Sequence, residues 1–152
     1  MTYTQEDCKR ETVEHIHQVR KFLSRVIVEL EERGRVHDLS KLQSPELEIF
    51  TEYTPKLADS TYGTEEYYEN LQGMSEALDH HYANNSHHPE HYERGIKGMN
   101  ILDVVEMLCD WKAATLRHDN GDIRKSIELN QKRFGYSDDL KQIFLNSVKM
   151  FD

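Results

Sequence analysis

The chain has 152 residues, 28 acidic and 19 basic, for a formal charge of −9 at pH 7. That length suits one domain with a single core, and the acidic balance argues against general nucleic-acid binding, which needs a positive face to neutralise phosphates. No stretch approaches the roughly 18 apolar residues of a membrane span, and the start MTYTQEDCKRE lacks a signal peptide's apolar segment; the sequence therefore predicts no membrane partner and a cytoplasmic protein.

The first predicted helix runs from about Thr4 to Arg33. Val13, Ile16, Val19, Leu23, Val26, Ile27 and Leu30 recur at three- and four-residue steps, and Gly34 is placed to end it. His15 falls at the edge of this apolar stripe and His17 toward the polar side, so His15 is the one expected to look inward. A short segment, Val36 to Leu42, carries the dipeptide His37-Asp38 and, three residues on, Lys41. Ser44-Pro45-Glu46 reads as a cap with proline at the first helical position. The helix that follows has Leu47, Ile49, Phe50 and Tyr53 inward and ends toward Thr54-Pro55.

After a loop from Pro55 to Thr64, a single helix is expected from about Glu65 to Tyr82, with Leu71, Met74 and Leu78 inward and His80 and His81 near its end. Asn84 to His91 is turn-rich, because Asn and Pro interrupt helical continuation. Asn100 can cap an apolar helix from Ile101 to about Arg117. His118 to Asp122 is a turn, and two amphipathic helices follow at roughly 123–134 and 137–151. No segment alternates with period two, so the reading is an all-α bundle of six or seven helices.

Nine histidines stand out, five of them between positions 80 and 91. Clustered imidazoles with carboxylates nearby suit metal or proton chemistry. His37 and Asp38 can reach one ion with nitrogen and oxygen donors, while Lys41 faces a substrate phosphate. His80, His81, His87 and His88 can converge on a centre from a helix end and a loop. Asp103, Glu106 and Asp110 form an acidic stripe on an otherwise apolar helix, and buried carboxylates need a cation. Asp110 or Asp103 would close the site; Asp103, Glu106 or a histidine not used as a ligand would move protons. Cys8 and Cys109 are too far apart for a CxxC motif, and Cys109 is expected as a small core residue. Tyr53, Tyr62, Tyr67 and Tyr68 could stack on a base, though packing is the plainer use of tyrosine.

The order of these residues resembles the HD-domain superfamily: His15, then His37-Asp38 with Ser40-Lys41, then further histidines, then a late helical Asp. The wording His37-Asp38-Leu39-Ser40-Lys41, His87-His88-Pro89-Glu90-His91 and Glu106 to Trp111 is also similar to a small uncharacterised family of bacterial and phage proteins in that group. The resemblance implies a single HD-like helical domain over 1–152, with a metal-site core at about 10–117 and a C-terminal helical pair at about 123–151. It implies metal held by His15, His37, Asp38 and either Asp110 or Asp103, and a second ion on His80 or His81 with His87 or His88. One or two divalent ions (Mn, Fe, Zn, Co or Ni) would serve as cofactor.

The implied activity is metal-dependent hydrolysis of a nucleotide or another small phosphate ester, in the cytoplasm of a bacterium or of a phage's host. Lys41, Arg94 and Lys97 would bind the phosphate, with Lys41, Glu106 and Asp103 as catalytic groups. Two alternatives keep the scaffold: a di-iron oxygenase, and a non-catalytic nucleotide-binding protein. A self-associating helical protein, a homo-oligomer without a site, is the remaining reading. The glycine-rich continuation of cyclic-dinucleotide hydrolases does not follow His87-His88; Pro89-Glu90 does.

Overall fold

The computed structural model describes residues 3–61, 63–117 and 121–151. Among them the chain is all-α, with seven α-helices and no strand. It divides into two compact units, residues 1–36 and 37–152. The expected turn at 118–122 lies largely outside the described residues, as does Tyr62. No helix among the described residues is long and apolar enough to cross a membrane.

The first unit is helix α1, Gln5–Val36. It passes through Gly34, which therefore does not end it. No residue of α1 is buried, and Val13, Ile16, Val19, Leu23, Val26 and Ile27 are all exposed. His15 is consequently exposed, not inward.

The second unit holds α2 (Glu46–Asp59), α3 (Glu65–Gly73), α4 (Ser75–Asn84), α5 (Ile101–Thr115), α6 (Ile123–Phe134) and α7 (Asp138–Ser147). Three expectations about boundaries change. The Ser44–Pro45 peptide is cis, and Ser44 does not cap α2. That helix carries Pro55 in its interior and continues to Asp59 instead of stopping before it. The helix expected over 65–82 is two, broken where Gly73 meets Tyr53, whose ring takes the place that a Cβ on Gly73 would need. Leu71, expected inward, is 38% exposed, and Leu47 is 46% exposed.

The core sits between α5, α6 and α7. Met107, Leu108, Ile123, Ile127, Tyr136, Phe144 and Val148 are buried together, with Trp111, Phe134 and Leu140 packed against them. Asn100 caps α5 as its sequence suggests, accepting from the Leu102 and Asp103 amides while Asp103 accepts from the Asn100 amide. This fixes the rotation of α5. Met107, Leu108 and Trp111 face the core, and the acidic residues one step around face the histidines. Cys109 points the other way, about 150° around the helix from the middle of the core face, and is exposed instead of core.

Candidate metal centre

Three chain segments supply the site: the turn at His37-Asp38, the end of α4 with the loop behind it, and the acidic side of α5. Asp38 stands in the left-handed region at φ 56. That conformation costs a non-glycine residue about 1–2 kcal/mol and is kept where surrounding contacts hold it. Here Lys41 Nζ donates to Asp38 Oδ2 at 2.6 Å, and the Lys41 amide bonds the Asp38 carbonyl at 2.9 Å. The left-handed turn lets the adjacent His37 and Asp38 side chains converge, which successive residues on a helix do not do directly.

Two carboxylates orient four imidazoles. Glu46, 0% exposed, accepts from His80 Nδ1 through Oε1 at 2.7 Å and from His81 Nδ1 through Oε2 at 2.8 Å. Glu106 Oε1 accepts from His37 Nδ1 at 2.8 Å and lies 3.1 Å from His87 Nδ1. An ionised carboxylate only accepts, so each of these bonds puts the ring proton on Nδ1. The Nε2 atoms of His37, His81 and His87 are thereby turned toward Asp38.

His81 Nε2 lies 3.4 Å and His87 Nε2 3.5 Å from Asp38 Oδ1. On the other oxygen, His37 Nε2 lies 3.5 Å from Asp38 Oδ2 and 3.7 Å from Asp110 Oδ1. His88 joins the first set, its Nε2 2.9 Å from that of His81. The outcome is three donor groups among the described residues: Asp38, His81, His87 and His88; His37, Asp38 and Asp110; and His37, His87 and Glu106, the first two sharing the Asp38 carboxylate. In each, one donor atom per residue lies within 4.8 Å of the others.

The fit to a cation rests on an unmet requirement. Asp38 Oδ1 and His87 Nε2 are buried without a hydrogen-bond partner among the described residues. Buried polar atoms are almost always paired. Here acceptors face acceptors, and a positive ion at their centre satisfies them all. Imidazole nitrogen with carboxylate oxygen suits zinc, manganese, iron, cobalt or nickel.

Electrostatics point the same way. Burial works against the charge on Asp38, but Lys41, His37 and His81 outweigh it and hold the carboxyl below its ordinary range. Asp110 is likewise held low, burial being overcome by His37, His87 and His88. Burial lowers His81, with Lys41 adding to it. Burial, then His87 and His81, push His88 down to about 3. Both are therefore neutral and able to ligate at neutral pH. His37 goes the other way: Asp110 and Glu106 raise it to about 10.

The remaining expected residues lie elsewhere. His15 is on α1, exposed, and belongs to no described donor group. His80 is outside the groups too and holds Glu46 instead. Asp103 does not close the site. It is fully buried one turn before Glu106, accepting from Ser86 Oγ at 2.8 Å, Tyr92 OH at 2.7 Å and the Asn100 amide. Its work is to cap α5 and pin the loop that carries His87, which corrects its expected proton-transfer role. Arg94 and Lys97 line a cavity of about 440 Å³ with Phe134, Tyr136 and Leu140. None of the donor residues lines that cavity.

Sequence reasoning missed Glu46, reading it only as a helix start. The signal was available: Glu46 shares a helical face with Ile49, Phe50 and Tyr53, and a carboxylate on an apolar face needs a partner.

A cavity of about 580 Å³ adjoins the first donor group, with His81, His88 and Lys41 in its lining. Leu47, Phe50, Pro55, Met74 and Leu78 supply its apolar walls, and Arg117 a second cation. Neither a curated protein nor a solved structure matches the chain. A family model matches residues 4–150, and on that match the chain belongs to the family of unknown function DUF5662.

Proposed function

We propose that the protein is a metal-dependent hydrolase of small phosphate esters, nucleotide or other, on an HD-like scaffold. The observation that carries this reading is the buried pair Asp38 Oδ1 and His87 Nε2, both without a hydrogen-bond partner among the described residues and 3.5 Å apart. Asp38 would be shared between two ions, with His81, His87 and His88 on one side and His37 and Asp110 on the other. Divalent ions held there supply a water of lowered pKa and offset charge on phosphoryl oxygens.

The other residues have work that needs no ion to describe. Glu46 and Glu106 fix the imidazole tautomers and ring orientations. Lys41 brings a positive Nζ to the rim of the open cavity, where it can bind a phosphoryl oxygen. The net reaction adds water across the ester P–O bond and gives an alcohol and inorganic phosphate. Support for hydrolysis over mere metal storage is the cavity itself, which brings cationic side chains next to the donor group.

The test is metal analysis of protein purified without a histidine tag, followed by a phosphate-ester screen with manganese added. Bound transition metal and phosphate release are expected. Absence of both overturns the reading. Iron with oxygen consumption and no phosphate release replaces it with the oxygenase.

A further inference from the structure

The cavity of about 440 Å³ lies between the turn at Gly95–Gly98 and the junction of α6 with α7. Arg94, Ile96 and Lys97 line it from the turn, and Phe134, Tyr136 and Leu140 from the other side. The turn is a 3-10 helix that starts after Arg94. Residues three apart on such a helix eclipse, so Arg94 and Lys97 stand on one side of it, one turn apart. Neither side chain makes an ion pair or a hydrogen bond among the described residues.

Both walls are fixed in advance. Gly98 packs on the Tyr92 ring, and the Tyr92 hydroxyl donates to the buried Asp103 at 2.7 Å. Opposite, Tyr136 is buried and its hydroxyl donates to the Ile127 carbonyl. Ser137, also in the lining, accepts from the Leu140 amide at 3.2 Å and so caps α7. Asp138, next in the chain, is engaged by Gln131 Nε2 at 2.8 Å. A preformed cavity of this size takes a small organic molecule, and fixed walls lower the cost of binding it. A guanidinium fork with an ammonium beside it suits a multiply charged oxyanion. A phosphate monoester carries about −1.5 to −2 charges at pH 7, and Phe134 and Tyr136 offer aromatic surface to a flat ring.

We propose that this cavity is a second binding site, lined by none of the metal-donor residues, for a small phosphate monoester or phosphonate that carries a flat ring. Arg94 and Lys97 hold the phosphoryl oxygens, and Phe134 and Tyr136 the ring. The site needs no metal and does not rest on the hydrolytic reading.

The experiment uses the full chain, as purified and again in chelator. Calorimetry compares phenylphosphonate with methylphosphonate, which lacks the ring, and with benzoate, which has the ring but a single charge. The one tryptophan of the chain, Trp111, stacks near Phe134 and Tyr136 with ring centroids 6.3 and 6.2 Å away, so its fluorescence reports on the cavity. The expected result is one phenylphosphonate per chain, bound in chelator as well and with a change in tryptophan fluorescence. Methylphosphonate is expected about tenfold weaker for want of the buried ring, and benzoate about tenfold weaker for want of the second charge. Arg94 and Lys97 are exposed, so Arg94→Gln with Lys97→Gln spares the fold and is expected to weaken phenylphosphonate at least about tenfold. Lys97→Gln alone gives about threefold, and Lys41→Met, in the other cavity, no change. Binding that Lys41→Met removes and the Arg94→Gln, Lys97→Gln pair does not would overturn the proposal, as would no binding of phenylphosphonate at millimolar concentration. Benzoate or methylphosphonate bound as tightly as phenylphosphonate would overturn the assignment of a ring-bearing phosphate.

Discussion

The Glu46 carboxylate receives the Nδ1 proton of His81 at 2.8 Å, with both side chains withdrawn from solvent. One carboxylate, 35 residues earlier in the chain, thereby decides which nitrogen of His81 is free. Neutralising it should release the ring. Glu46→Gln retains the size of the side chain but sets an amide where only an acceptor fits. Metal affinity of the first donor group is expected to fall about 10–100-fold, with helicity by circular dichroism unchanged. Affinity within twofold of the parent would rule out the orienting role.

His37 gives a proton-counting prediction. Raised to about 10 in the metal-free protein by Asp110 and Glu106, it carries a proton at pH 8 that ligation must remove. Binding to its group should therefore release close to one proton at pH 8. His88, pushed down to about 3, has none to give. Calorimetry in buffers of different ionisation enthalpy measures the number. Zero release at pH 8 would contradict the His37 assignment.

The same two histidines shape the stability of the metal-free protein. His88 is depressed in the fold relative to its ordinary value of 6.5, so the unfolded chain binds more protons below that pH. Its contribution is complete above about 6.5 and is lost as pH falls toward 3. His37 is raised, so its contribution is complete below about 6.5 and is lost as pH climbs toward 10. Melting temperature in chelator is expected to peak near neutrality and to decline on both sides. His88→Gln should flatten the acid limb, and His37→Gln the alkaline one. Unchanged limbs in both variants would refute the linkage.

Lys41 separates substrate binding from metal binding. Its ammonium lies 2.6 Å from Asp38 Oδ2 and lines the cavity. Lys41→Met is expected to retain bound metal while kcat/KM for the phosphate ester falls about 10²-fold. Equal loss of metal and activity would assign Lys41 to holding Asp38 instead of the phosphate.

Part of the site is legible in the sequence. His37, Asp38, His81, His87, His88 and Asp110 are types and spacings that invite a metal. The phase of the α5 stripe limits the late carboxylate to Asp103 or Asp110. What separates those two is invisible along the chain. Asp103 is taken by Asn100, Ser86 and Tyr92, and the last two lie on a loop whose course no local pattern gives. His15 lies on α1, a unit apart from the donor groups in which no residue is buried. Pro55 misled because a proline inside a helix is unfavourable locally, and the contacts of α2 with α3 and α4 override it.

By itself the sequence determined the helical periodicity, the capping of α5 at Asn100 and the stock of ligand-type side chains. These are local properties, set by residue spacing within a turn or two. Only the tertiary structure decided that Asp38 is the shared carboxylate, that Glu46 and Glu106 orient the imidazoles, and that Arg94 and Lys97 belong to another cavity. Those outcomes depend on which groups from distant segments lose water together. A buried acceptor must then find a proton or a cation within reach, and the fold alone sets what is within reach.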